Sequence, residues 1–238
     1  MIHFIGRNFP FTLPIFDRKS KNGKFKKGSN KIYVRNIYCV GQNYRAHAHE
    51  MGVNPKRDDP VFFRKPTDSL IPEGGFVKYP KKTKNLQFEV ELVTALKGKG
   101  ENLSLENAKK IILGYAVGID LTRRDLQKIA RKKGMPWDMA KGFPGSAPCS
   151  AIVTSKILGH PAKGEISLKV NNKIKQKSDI SKLIWSVPQI IAKLSNYTSL
   201  YPGDIIFTGT PEGVGRLKIG DYVEGMIEQI GKVSITIK

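Results

Sequence analysis

Short apolar runs cut by turn residues set the limits on what this chain can fold into. Residues 37–40, 61–63, 87–96, 111–120 and 205–207 are apolar runs of strand length, most of them bounded by glycine, proline or asparagine. The C-terminus alternates, with Val233, Ile235 and Ile237 pointing one way and Ser234 and Thr236 the other. Asn171-Asn172, between runs at 166–170 and 173–176, makes a good hairpin turn because asparagine tolerates positive φ. Helical segments are few. One follows Asn43, a suitable N-cap, and stops at Gly52 and Pro55; another spans 122–133 and stops at Gly134-Met-Pro136. A third starts at Ser186, has Pro188 in its first turn, and runs to about Asn196. Residues 97–107 read as a polar loop. These elements add up to an α+β protein dominated by sheet. Residues 1–36 form a basic segment packed on or extending from the core, with a strand or two in 1–16 and an exposed loop at 20–30. The main body is 37–238.

At 238 residues the chain has enough length for one large core. No apolar run approaches the ~20 residues that span a bilayer, and the N-terminus has no secretory pattern. Cys39 and Cys149 fit no zinc spacing, so a reducing cytoplasm is the simplest location. The net charge of +21 raises nucleic acid as a partner, but it equally suits a small anionic substrate drawn into a cleft. The lysines are scattered, and the aromatic interleaving of RNA-recognition surfaces is absent.

Five patterns can carry chemistry. In Phe88-Glu89-Val90-Glu91-Leu92, strand alternation puts Glu89 and Glu91 on one face. They are either solvent-facing surface glutamates or a pair that needs a cation or proton between them. Asp120 closes a buried apolar run, as a helix cap or as a third acid; three carboxylates without paired histidines suit Mg²⁺ or Mn²⁺. Arg124 and Gln127 share a helix face, where Arg124 is a surface arginine or a carboxylate grip. Lys141 lies in an apolar setting beside glycine. His47 and Glu50, also three apart, are a surface ion pair or a water-activating base with its orienting carboxylate. The Gly-rich stretch 208–215 lacks the Gly-Lys-Ser/Thr ending of a phosphate loop.

Five stretches, in order, resemble the fumarylacetoacetate hydrolase family, in particular its small acylpyruvate-hydrolase-like branch: Cys39-Val-Gly-Gln-Asn-Tyr-Arg-Ala-His47-Ala-His-Glu50-Met, Phe88-Glu-Val-Glu-Leu92, residues 114–127, Pro136-Trp-Asp-Met-Ala-Lys-Gly-Phe143 and Thr208-Gly-Thr-Pro-Glu-Gly-Val-Gly215. The resemblance implies a mixed β-sandwich roll, usually a homodimer, with Mg²⁺ or Mn²⁺ on Glu89, Glu91 and Asp120. It implies that Arg124, Gln127 and Thr210 hold a small 2-oxo acid, that Lys141 faces the reacting oxygen, and that His47 with Glu50 activates water. Lys65 also falls on a family motif. The implied reaction is hydrolysis of a carbon–carbon bond in a 2,4-dioxo acid. Hydroxymuconate isomerisation and oxaloacetate decarboxylation are the related alternatives, and nucleic-acid binding on an inactive fold is the distant one. The chain departs from the family pattern at Gln42, where arginine or serine is usual, and at Phe143-Pro-Gly-Ser146, where Phe-Asp is common.

Overall fold

The computed structural model describes residues 11–19, 25–52 and 59–238. Its first half contains β1 (Thr12–Lys19), β2 (Phe25–Tyr33), β3 (Asn36–Gly41), α1 (Arg45–Glu50), β4 (Val61–Lys65), β5 (Leu70–Pro72), β6 (Gly74–Val77), β7 (Leu86–Phe88) and β8 (Val90–Leu96). Then come α2 (Leu105–Lys110), β9 (Ile112–Ile119), β10 (Thr122–Arg123), α3 (Arg124–Lys133), α4 (Asp138–Lys141), β11 (Ala147–Cys149), β12 (Ile152–Thr154) and α5 (Ser155–Leu158). The last part holds β13 (Glu165–Val170), β14 (Lys173–Asp179), α6 (Val187–Ser195), β15 (Asp204–Phe207), β16 (Gly215–Arg216), β17 (Tyr222–Ile227) and β18 (Gly231–Ile237).

The strands build a mixed β-sandwich roll. A ten-stranded sheet runs β2-β1-β12-β9-β8-β15-β3-β4, with β11 and β5 joined at β9. A five-stranded sheet runs β14-β13-β17-β18-β6, and a small one runs β10-β7-β16. Both faces of the large sheet are covered, so β8 is buried at all seven positions and shows no polar alternation. One core packs Leu92, Val117 and Ile119 against Ile166, Val223 and Ile235 of the five-stranded sheet. The other packs Val93, Ala116 and Phe207 with Leu13 and Ile37. Gly118 lets the sheet close on this second core, since a Cβ there would stand 2.4 Å from the Phe207 ring.

Local chemistry accounts for the ends of the elements. Asn171 and Asn172 take φ of 49° and 63° between β13 and β14, the backbone a two-residue hairpin requires. Gly134 ends α3 at φ 64°. The Gln189 side chain reaches back to the Ser186 backbone N–H at 2.9 Å, fixing the start of α6.

Several expectations are corrected. Asn43 does not cap α1; its side chain is buried and bonds to the backbone of two other segments. Residues 97–107 are not all loop, because Ser104 caps α2 by accepting the Asn107 N–H. Residues 87–96 are two strands in different sheets, broken at Glu89. Residues 122–133 start as β10 before turning helical at Arg124. The expected loop at 20–30 is strand from Phe25 onward, where β2 pairs with β1. The strand expected within residues 1–10, the remainder of that loop at 20–24, and the stop at Pro55 lie outside the described residues. Among the described residues no helix is long and apolar enough to cross a membrane.

Candidate active site

Glu89 sits in the one-residue break between β7 and β8, Glu91 is the second residue of β8, and Asp120 directly follows β9. Because β8 and β9 pair antiparallel, with Val90 opposite Ile119, the end of β9 returns beside the start of β8. The Asp120 N–H bonds to the Glu89 carbonyl at 2.8 Å and locks that corner. One carboxylate oxygen from each acid lies within 4.8 Å of the others, and all three residues are at most 4% exposed. That burial rules out the reading of solvated surface glutamates.

Three buried cations surround the acids. Arg124 bonds Glu89 through its terminal nitrogen, Gln87 through Nε at 2.6 Å, and Gln127. The Lys141 ammonium lies 2.9 Å from Glu89 Oε2, 2.7 Å from Asp120 Oδ2 and 2.7 Å from Thr122 Oγ1. Lys65 stands 2.7 Å from Asp120 Oδ1 and also donates to the carbonyls of Leu121 and Lys141 and to Ser146 Oγ. Burial by itself would raise the Glu89 carboxyl, but Lys141, Arg124 and His47 hold it well below the usual range. Burial pulls the Lys141 ammonium down, and Asp120 and Glu89 more than reverse that. Glu91 differs. It accepts the Gly209 N–H at 2.6 Å and makes no ion pair among the described residues, so burial, and then repulsion from Asp120 and Glu89, push it well above the ordinary value.

The residues fit a hard divalent ion on this chemistry: three buried carboxylate ligands, no sulfur, and one acid without a cation against it.

His47 and Glu50 do form a pair, with His47 Nδ1 3.1 Å from Glu50 Oε2. A carboxylate there favours the tautomer with the proton on Nδ1, leaving the Nε2 lone pair free. Glu50 is fixed from behind by the Gly213 N–H, at 3.2 and 3.3 Å from its two oxygens. His47, the three acids, Arg124, Gln127, Lys141 and Thr210 all line one cleft, so the structure brings together every expected site residue except Glu50, which lines the adjoining vestibule behind His47.

The Thr208-to-Gly215 loop is tied to this centre at several points. Gly209, at φ 100°, lies so close to Asn43 that a Cβ would come within 2.6 Å of it. Asn43 donates to the carbonyls of Thr208 and Trp185 and accepts the Trp185 N–H. Gln176 donates to Thr210 Oγ1 and to the Pro211 carbonyl, each at 2.8 Å, and accepts the Val90 N–H at 2.9 Å. Sequence reading missed Gln176, Thr122 and Gln87. The available signal for Gln176 was one uncharged polar residue between Lys175 and Lys177, on the inward side of β14.

The chain matches the family model described as fumarylacetoacetate hydrolase C-terminal over residues 36–238. It is 44% identical over 185 residues to a fumarylpyruvate hydrolase from a Ralstonia species, covering 78% of this chain and 96% of that one. It is 40% identical to the human mitochondrial oxaloacetate tautomerase, covering 86% and 91%. The crystal structure of fumarylpyruvate hydrolase from Pseudomonas aeruginosa, with Mn²⁺ and pyruvate, superposes with a TM-score of 0.91 at 41% identity, covering 99% of each chain.

Proposed function

Since this chain belongs to the fumarylacetoacetate hydrolase family, we propose that it hydrolyses a carbon–carbon bond in 2,4-dioxo acids of the acylpyruvate class, such as fumarylpyruvate. The observation that carries this reading is the juxtaposition of a buried three-carboxylate centre with a histidine–glutamate pair in one cleft. Water adds across the bond between carbons 3 and 4, giving a carboxylic acid from the acyl side and pyruvate from the other.

Each residue has a separate task. Mg²⁺ or Mn²⁺ held by Glu89, Glu91 and Asp120 would supply Lewis-acid stabilisation of the charge that develops on the 2-oxo oxygen. Arg124 and Gln127, already locked to each other, present N–H donors to the substrate carboxylate, and Thr210 offers a hydroxyl oriented by Gln176. His47 takes a proton from water at Nε2 while Glu50 holds the ring. The resulting hydroxide attacks carbon 4, and the electron pair of the breaking bond passes to carbon 3 and its conjugated oxygen. The Lys141 ammonium faces that oxygen's developing charge. The proton that His47 took from water passes to carbon 3, which completes pyruvate and returns the imidazole to its starting state.

The relationship to an oxaloacetate tautomerase favours a second reading, in which His47 moves a proton at carbon 3 of oxaloacetate without activating water. Decarboxylation of oxaloacetate and isomerisation of a hydroxymuconate belong to the same enolate chemistry. One panel separates these readings: fumarylpyruvate, acetylpyruvate and oxaloacetate, each after EDTA treatment and after Mg²⁺ or Mn²⁺ addition. Metal-restored acylpyruvate cleavage is the expected result, and its absence with active oxaloacetate tautomerisation selects the second reading. The family likeness also carries a homodimer, and the two free, buried cysteines suit a reducing cytoplasm; analytical ultracentrifugation and fractionation test these.

A further inference from the structure

The vestibule outside the three acids carries positive charge that the bond-breaking chemistry does not use. On α3, Arg124, Gln127, Lys128 and Arg131 recur three and four positions apart and so share a face. Arg124 and Gln127 are buried and bonded to each other. Arg131, two turns along from Arg124, is half-buried and lines both the inner cleft and the vestibule. Among the described residues its guanidinium has no hydrogen-bond or ion-pair partner. Lys128 and Lys132 line the same vestibule. Among the described residues the acid that lines this vestibule is Glu50, whose oxygens are engaged by His47 and the Gly213 N–H.

Available space points the same way. The inner cleft holds about 30 Å³ of free volume against 710 Å³ in the vestibule. The room for an acyl tail is therefore on the vestibule side, which α3 lines. A half-desolvated guanidinium lacking a protein anion is suited to a bidentate carboxylate from a ligand.

Resting on the acylpyruvate reading above, we infer that Arg131 is a specificity residue for a second carboxylate at the far end of the acyl group, with Lys128 and Lys132 steering that anion inward. The preferred substrates are then acylpyruvates whose acyl chain ends in a carboxylate. The test is steady-state kinetics of the metal-loaded enzyme on fumarylpyruvate, which carries that group, and acetylpyruvate, which does not. Wild type should favour fumarylpyruvate in kcat/KM by about 10- to 100-fold, the worth of a charged hydrogen-bonded contact. In Arg131→Gln that preference should collapse, mainly through KM, and Arg131→Lys should recover part of it. Lys156→Gln, on α5 outside the cleft, should keep it. The inference is overturned if wild type shows no preference, if the preference survives in Arg131→Gln, or if kcat on both substrates falls equally in that variant. Turnover of neither acylpyruvate is a different failure: it removes the reading on which the inference rests, and the inference with it.

Discussion

Without a metal, Glu91 is expected to favour its protonated form over a wider pH range than an ordinary glutamate. Glu89 faces Arg124 and Lys141, and Asp120 faces Lys65 and Lys141, while Glu91 has the Gly209 N–H. Burial, with the charges of Asp120 and Glu89, raises its carboxyl well above the ordinary value, whereas Glu89 is held below it. Only one of these two glutamates therefore carries a proton for an incoming ion to expel. Below the raised pKa of Glu91, Mn²⁺ binding should release about one proton, and affinity should weaken about tenfold, or 1.4 kcal/mol, for each unit the pH is lowered. Calorimetric titration in two buffers of different ionisation heat counts the proton directly. In Glu91→Gln the metal should bind more weakly, with release near zero. The sign for stability is opposite. A carboxyl whose folded pKa is raised contributes stability that is full below its unfolded pKa of about 4.3 and is lost as pH rises through the folded value. Metal-free protein should thus lose stability from this group as pH rises, and Mn²⁺ should abolish that trend. Affinity independent of pH, or release that persists in Glu91→Gln and vanishes in His47→Ala, refutes the reasoning.

Other outcomes follow from the same geometry. His47→Ala should lower acylpyruvate hydrolysis by about 10²–10⁴ while leaving Mn²⁺ affinity nearly unchanged; equal losses of hydrolysis and oxaloacetate decarboxylation would show that it closes or positions the site instead. Lys65→Met, by stripping a buried cation from Asp120, should cost about 3–5 kcal/mol in thermal unfolding of the metal-free protein, and a cost below about 1 kcal/mol would contradict the pairing. Asn43→Ala removes three hydrogen bonds to backbone, one buried and two part-buried, and should cost about 1.5–4.5 kcal/mol in denaturant unfolding, with m unchanged. Burial, and then Lys109 and Lys97, lower the pKa of His160, whose Nδ1 lies 2.8 Å from the Tyr115 hydroxyl; Lys109→Ala should raise it in an NMR titration. That depressed pKa stabilises above the unfolded value of about 6.5 and fades as pH falls through the folded one.

Sequence patterns revealed the acids better than they revealed what holds them. Glu89 and Glu91 were legible because they interrupt an apolar run, and Asp120 because it ends one. Strand alternation did not foresee that the backbone passes from one sheet to another at Glu89, or that a backbone bond from Asp120 to Glu89 closes the corner where the acids meet. Asn43 looked like a helix cap because caps are read from neighbours in sequence, whereas its partners are Trp185 and Thr208. Gln176 and Lys65 act through residues far along the chain, and no local period records such contacts. The helix at Leu105–Lys110 was hidden by its polar composition; its amphipathic signal is one buried residue, Ala108.

The β8–β9 pair also has a kinetic meaning. All three acids sit on this one antiparallel unit, whose strands are close in sequence. The large sheet, by contrast, closes through β3 and β15, which join Asn36 to Asp204, 168 residues apart. Loop-closure entropy favours the local hairpin first and the distant pairing late. An ion bound by that hairpin would act on the folding nucleus, so Mn²⁺ should speed refolding as well as slow unfolding. The catalytic centre would then be among the first parts of the molecule to assemble, with the surrounding sheet closing around it.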